Sequence, residues 1–288
     1  MYKFAPILKT LVWGTESWVL SAVPGNESVV AEGPAKGKKI TDIFPGQFPL
    51  LIKFIDAHDN LSIQVHPDDE LARVRHNSKG KTEMWYIIGA REGAYLYSGL
   101  NRSITPQEFE ELVSKDEICS VLSRYDVAAG DVFFLPAGRI HAIGAGCYLA
   151  EIQQTSDVTY RIWDYGRMGL DGKPRQLHVE ESKQAIDYSV LPSYRTEYEH
   201  RSNEAVELAD CPYFKTELLE LDKPFCADLS ASGDFQVIIA LEGRSRLRSG
   251  DCEMELVPGE CALLLTSEDK ALEITPLDTE SKLLTTHC

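Results

Sequence analysis

The sequence predicts an all-β protein with minor helices, built as two jelly-roll-like β-sandwiches. Two observations carry this. Its apolar runs are short, rich in Val, Ile, Phe and Tyr, and punctuated by Gly, Pro, Asp and Asn, which is the pattern of strands and not of amphipathic helices. Helix start signals are few, so the strands follow one another in the way that produces sandwiches and barrels.

Taken in order, Met1–Gly14 is apolar but short, carries Lys3 and Lys9, and lacks a small-residue cleavage site. It reads as a first strand and not as a signal peptide. Strands are expected over Pro49–Ile55, Leu61–His66, Met84–Ile88, Val132–Leu135 and Cys147–Gln153. Asp68–Arg75 reads as a short helix. Thr105-Pro-Gln-Glu108 is a capping box with Pro at the first helical position. Phe109, Leu112, Val113 and Leu122 follow at roughly helical spacing, so Pro106–Ser123 is expected to be helical, and Val179–Ile186 is a further candidate.

Around 189–208 the pattern turns polar, as a linker does. Beyond it, Phe235–Glu242, Ser245–Leu247, Cys252–Leu256, Cys261–Thr266 and Leu272–Thr275 form a second set of strands. The expected domains are therefore 1–195, with a helical insertion at about 105–124, and 196–288.

The chain of 288 residues has a net charge of -16. Such a balance opposes binding to nucleic acid, which needs a basic face, and to anionic membrane surfaces. It allows an anionic small substrate only where Lys and Arg converge locally. No apolar run reaches the ~20 residues of a membrane span. The seven cysteines are scattered without a C-x-x-C pair, which fits reduced thiols and a cytoplasmic location.

Three segments carry chemistry. In Leu61-Ser-Ile-Gln-Val-His-Pro67, strand alternation puts Gln64 and His66 on one face. That face is either open to solvent or engaged by hydrogen bonds or a ligand. Gly130-Asp-Val-Phe-Phe-Leu-Pro-Ala-Gly-Arg-Ile-His141 matches the second cupin signature at every defined position: a strand, a tight Pro/Gly turn, then an inward His. In Gly80-Lys-Thr-Glu-Met-Trp-Tyr-Ile-Ile-Gly89, the residues Glu83, Trp85 and Ile87 share a strand face. Two His, a carboxylate and an amide oxygen suit Zn2+ or another first-row divalent ion. Without Cys among them, an open catalytic site is favoured over a closed structural one.

Together with Phe48-Pro-Leu-Leu-Ile-Lys53 and Glu151-Ile-Gln-Gln-Thr-Ser-Asp-Val-Thr-Tyr-Arg161, these motifs resemble type I mannose-6-phosphate isomerase, in its short bacterial form. The likeness runs from about Trp13 to His178 and weakens beyond. It implies that Gln64, His66, Glu83 and His141 are zinc ligands and that Lys81, Asp157 and Arg161 line the substrate site, with Lys53 a further candidate. The general first cupin signature has two His followed closely by Glu. Here Gln64 replaces the first His and Glu83 arrives late, as in that isomerase family.

Taken singly, Lys53 in its apolar run reads equally as a site residue or as a strand-edge Lys reaching solvent. Lys81 reads as a site residue or a loop charge, and Asp157 with Arg161 as site residues or a surface ion pair. Arg161 is the strongest candidate, since a guanidinium binds phosphate or an enediolate bidentately. His58, His76, His178 and His200 read as ordinary surface or capping histidines, and Trp163 and Tyr165 as packing aromatics. The resemblance implies a zinc-dependent aldose–ketose isomerase acting on a small sugar phosphate, with homodimerisation allowed. The alternatives are a metal-cupin isomerase of another sugar phosphate and a non-catalytic sugar-sensing cupin.

Overall fold

The computed structural model describes Met1 to Cys288. Its contacts divide into two compact units, Leu8–Ser17 with Leu51–Thr196, and Met1–Ile7 with Trp18–Leu50 and Glu197–Cys288. The break at Thr196 lies one residue from the expected boundary, but the contiguous 1–195 domain does not hold. Tyr2–Phe4 pairs with Cys261–Leu265 (Tyr2 opposite Leu263) and with Val30–Glu32, so both N-terminal strands complete a sheet whose other members lie past residue 205. Pro6 separates Tyr2–Phe4 from Ile7–Leu11; without an N–H it cannot continue a ladder. The single first strand expected over Met1–Gly14 is thus two strands in different units.

In the unit holding residues 51–196, one sheet has seven strands in the order Arg195–Thr196, Val132–Leu135, Glu83–Ala90, Cys147–Gln154, Leu50–Ala57, Gly14–Leu20, Ile7–Leu11. The other has five: Leu122–Asp126, Tyr95–Leu100, His141–Ile143, Ile63–Val65, Tyr160–Trp163. Between them pack Trp13, Ile55, Trp85, Ile87, Leu96, Phe133, Leu135, Ile143 and Leu149. The outer face of the five-stranded sheet is also buried, because Ile63, Val65, Ala142 and Ile162 meet Phe109 and Val113 of the helix Pro106–Ser114. Strand alternation consequently leaves only inward positions for Gln64 and His141.

That helix is shorter than expected. Thr105 caps it, its hydroxyl accepting from Glu108 N at 3.1 Å. It ends at Ser114, and Asp116 adopts a left-handed φ of 58°. A 3-10 turn over Ile118–Val121 follows, and Leu122 is drawn into a strand opposite Leu100. The helices Asp69–His76 and Val179–Ala185 lie where expected.

The other unit pairs a seven-stranded sheet, Ala205–Cys211, Phe214–Leu221, Ser281–His287, Phe235–Glu242, Cys261–Leu265, Tyr2–Phe4, Val30–Glu32, with a four-stranded one, Phe225–Asp228, Ala271–Pro276, Ser245–Ser249, Cys252–Leu256. Their inward faces meet in a core including Leu219, Ile238, Leu247, Leu256, Leu264, Leu272, Ile274 and Leu283. Pairing of Arg195–Thr196 with Val132–Leu135 and of Ala205–Cys211 with Phe214–Leu221 shortens the expected linker from both ends. No disulfide joins any of the seven cysteines. No helix is long and apolar enough to cross a membrane.

Candidate active site

Three strands of the five-stranded sheet lay Arg161, Gln64 and His141 side by side: Arg161 is opposite Gln64, and Gln64 is opposite His141. From the facing sheet come Glu83, Glu151 and Lys53. Each shares its strand face with inward apolar residues: Trp85 and Ile87 beside Glu83, Leu149 beside Glu151, Ile55 beside Lys53. The chemistry lies between the sheets because strands from both project polar residues into one apolar core.

Two close backbone approaches fix the connecting loops. Lys81 N donates to Pro67 O at 3.1 Å. A Cβ on Gly80 would lie 2.6 Å from Asp68 C and Asp69 N, so only glycine brings the loop this near. In the turn before His141, Gly138 has φ +88°, and an added Cβ would come within 3.0 Å of Ala185 O. Gly138 N donates to His66 O at 2.9 Å, tying the two histidine-bearing segments together. The Gln-Gln-Thr-Ser run serves the Lys81 loop. Gln154 accepts from Thr82 N and donates to Asp69, and the Ser156 hydroxyl donates to Lys79 O.

His66, Glu83 and His141 are buried, with one potential ligand atom from each lying within 4.8 Å of the others. Each His donates Nδ1–H to a carbonyl: His66 to Val158 O at 3.0 Å, His141 to Arg139 O at 2.9 Å. These bonds select the tautomer whose Nε2 carries the lone pair. His141 Nε2 is 3.3 Å and His66 Nε2 3.6 Å from the Glu83 carboxylate. His66 Nε2 is buried without a hydrogen-bond partner, and neither Glu83 oxygen accepts a well-aligned hydrogen bond, although Lys81 Nζ stands 2.9 Å from Oε2. Gln64 Nε2 lies 3.1 Å from His141 Nε2; rotating the amide half a turn presents Oε1 at the same point.

Burial, aided by the nearby Lys81, holds both imidazoles neutral: His66 falls well below its ordinary range and His141 to about 4. Burial and the neighbouring Glu151 push Glu83 up to about 7, against the pull of Lys81. Neutral imidazoles beside a buried carboxylate whose oxygens accept no well-aligned hydrogen bond are the donor set a divalent cation requires.

Gln64 and Lys81 also line a cleft of about 310 Å³ in this unit. Around it stand the cations Lys53, Lys81, Arg161 and Arg175 and the acids Glu16, Glu151 and Asp157, with Trp13 and Leu61 as apolar wall. Positive charge thus gathers locally in a chain whose net charge is -16. Lys53 is not a strand-edge lysine: its side chain is 8% exposed and pairs with Glu151 at 2.9 Å. Glu151 also accepts from Trp85 Nε1 at 2.9 Å and stands 3.8 Å from Lys81. Burial raises the Glu151 carboxyl, but the two lysines overcome it and hold the group down at about 2. Asp157 is exposed at the cleft, and Arg161 donates to Gln176 O at 2.9 Å while its Nε is buried without a partner.

All eight expected site residues therefore lie at the cleft or at the buried cluster joined to it. Sequence reasoning missed Glu151, Glu16, Arg175 and His178. Glu151 was legible as a charge at the head of a motif, but its partner lies 98 positions away. His178, read as an ordinary surface residue, lines the cleft and accepts from Arg161 N at 3.2 Å. Trp163 and Tyr165 pack against each other, with ring centroids 4.4 Å apart.

A β-sandwich with two histidines and a carboxylate converging between its sheets beside a cationic cleft defines a cupin enzyme of the metal-binding class. Comparison with known proteins narrows this. The profile of the family "Phosphomannose isomerase type I, catalytic domain" matches residues 15–87. Mannose-6-phosphate isomerase ManA of Bacillus subtilis is 33% identical over 91% of both chains. The crystal structure of the Bacillus subtilis mannose 6-phosphate isomerase covers 100% of this chain and 99% of its own, with TM-score 0.89 and 28% identity. A zinc-bound mannose 6-phosphate isomerase shares the fold, with TM-score 0.77 at 14% identity over 99% of this chain and 98% of its own. The chain belongs to the type I mannose-6-phosphate isomerase family.

Proposed function

We propose that the protein interconverts D-mannose 6-phosphate and D-fructose 6-phosphate, using a divalent metal ion, zinc by preference, held by Gln64, His66, Glu83 and His141. The observation that carries this reading is the buried set of two neutral imidazoles and a carboxylate, joined to a cationic cleft through Gln64 and Lys81. Family membership and the zinc-bound relative of the same fold support it. The donor set fits the ion because His66 Nε2 and both Glu83 oxygens are buried without well-aligned hydrogen bonds. When bound, the ion would act as a Lewis acid toward the sugar oxygens at C1 and C2.

The remaining work falls to the chain's own groups. Aldose–ketose isomerisation moves a proton between C2 and C1 through an enediol, so it needs a base for carbon, an acid for oxygen and positive charge on the developing oxyanion. Arg161, with Nε free, is assigned to that oxyanion. Glu151, held at about 2, is a weak base; its role is to hold Lys53 and Lys81 in the cleft wall. Asp157 is then the carboxylate that takes the carbon-bound proton, and Lys81 the ammonium that donates toward oxygen. Lys53 and Arg161 bind substrate charge. The second sandwich is read as a degenerate cupin-like domain.

The test is conversion of mannose 6-phosphate to fructose 6-phosphate by purified protein, before and after chelation and zinc re-addition. Activity lost with chelator and restored by zinc supports the proposal. Inactivity of the zinc-loaded protein overturns the substrate assignment.

A further inference from the structure

The second sandwich contains a cavity that the isomerase reading does not use. We propose that it is a binding site for a small neutral sugar.

The register of the large sheet builds it. Deep in the sandwich, the inward rung is Leu219, Leu283 and Ala240, all apolar and buried. One rung outward stand Glu217, Thr285 and Ile238, and beyond that Lys215 faces His287. Gln236 shares the face of Ile238 two residues along the same strand. Inward positions thus change from apolar to hydrogen-bonding toward one end of the sandwich. Phe225, Ala227 and Leu229 form the opposite wall, and about 290 Å³ remains between them. A mixed wall of this size matches small-molecule sites.

Hydrogen-bond accounting points to a ligand. Gln236 is 5% exposed, and its Oε1 accepts from the Ser232 hydroxyl at 2.7 Å. Its Nε2 is buried with no partner, as is Nδ1 of His287. Buried amide groups are normally satisfied, so an acceptor belongs at this wall. Thr285 offers a hydroxyl and Glu217 a carboxylate beside it. Hydroxyl groups of a polyol both donate and accept, and they answer amide, hydroxyl and carboxylate together. Phe225 supplies an apolar surface for C–H groups.

Charge selects a neutral ligand. Lys215, the cation of the cavity, is shared between Glu207 at 3.2 Å and Glu217 at 3.6 Å. No other Lys or Arg lines the wall, and a phosphate would meet Glu217 and Asp228. The site therefore differs in kind from the cleft with its four cations.

The experiment is calorimetric titration of D-mannose and of D-fructose into the zinc-loaded full-length protein and three variants. Gln236→Leu and Thr285→Val alter the cavity, and Arg161→Ala alters the cleft. Saturable binding of either sugar is expected to survive in Arg161→Ala and to weaken by roughly tenfold or more in both cavity variants, the loss of one good hydrogen bond in a desolvated site. Thr285→Val keeps volume and strand preference, so it decides the matter if Gln236→Leu fails to fold. Absence of saturable binding would mean that the cavity holds water only and overturns the proposal. Unchanged affinity in the cavity variants, or loss in Arg161→Ala, overturns it equally.

Discussion

Lys53 and Glu151 form an ion pair of 2.9 Å inside the sandwich, their side chains 8% and 4% exposed. Removing one partner of such a pair strands the other charge in a low-dielectric site, whereas removing both does not. Glu151→Ala is therefore expected to cost roughly 3–5 kcal/mol of stability. The double variant Lys53→Met with Glu151→Leu should recover most of that and remain inactive. Denaturant unfolding with parallel assays checks this; a double variant as unstable as Glu151→Ala would show that the pair itself holds the fold.

The same pair sets a pH dependence. Burial opposes the Lys53 charge, but Glu151 and Glu16 raise its pKa overall. Glu151 goes the other way, from an ordinary 4.5 down to about 2. A depressed carboxylate contributes stability that is complete above its unfolded pKa and is lost as pH falls toward the folded one. The raised lysine contributes stability that is complete below its own ordinary value. The stability gap between wild type and Glu151→Gln should accordingly be level from about pH 7, above which Glu83 no longer titrates, to about pH 10, and shrink below about pH 4.5. A gap that widens as pH falls below about 4.5 would contradict the pairing.

Arg161 keeps a buried, unpartnered Nε on the strand opposite Gln64, and its side chain lines the cleft without joining the His66–Glu83–His141 group. Arg161→Ala should lower kcat by roughly 100- to 1,000-fold, as removal of an oxyanion donor does, with metal content unchanged. Arg161→Lys should not restore it, because an ammonium lacks the planar fork. Steady-state kinetics with metal analysis decides; near-normal kcat in Arg161→Ala would remove the residue from the mechanism.

His141 presents Nε2 to the cluster while Nδ1–H is fixed on Arg139 O. His141→Ala should lose zinc and activity together, with the holoprotein's melting temperature falling toward that of chelated wild type. Full zinc occupancy in the purified variant would refute the ligand set.

Gly138 holds φ +88° next to Ala185 O. Gly138→Ala should cost roughly 1–3 kcal/mol from left-handed strain alone, measured by thermal melting. No loss would mean that the turn relaxes without cost.

Much of this molecule is legible in its sequence because strands and turns are local. Short apolar or alternating runs marked Val132–Leu135, Phe235–Glu242 and Cys252–Leu256 with the bounds observed, and alternation placed Gln64 and His66 on one face. Motif resemblance supplied the ligand candidates, and the structure brings His66, Glu83 and His141 within reach of one ion. The helical spacing of Phe109 to Leu122 was misleading past Ser114. Leu122 has a cross-strand partner, Leu100, that helical periodicity cannot reveal.

What the sequence by itself determined is the set of local elements: the strands, the capped helix start at Thr105, the Pro/Gly turn before His141 and the residue types suited to a metal. Tertiary structure alone decided the long-range pairings. It joined Tyr2–Phe4 to Cys261–Leu265, turned Lys53 inward onto Glu151, and brought His178 and Arg175 to the cleft. The reason is physical. Local pattern records which face of a strand is apolar, but which distant strand covers that face is set by burial and ladder hydrogen bonds formed only when the sheets assemble.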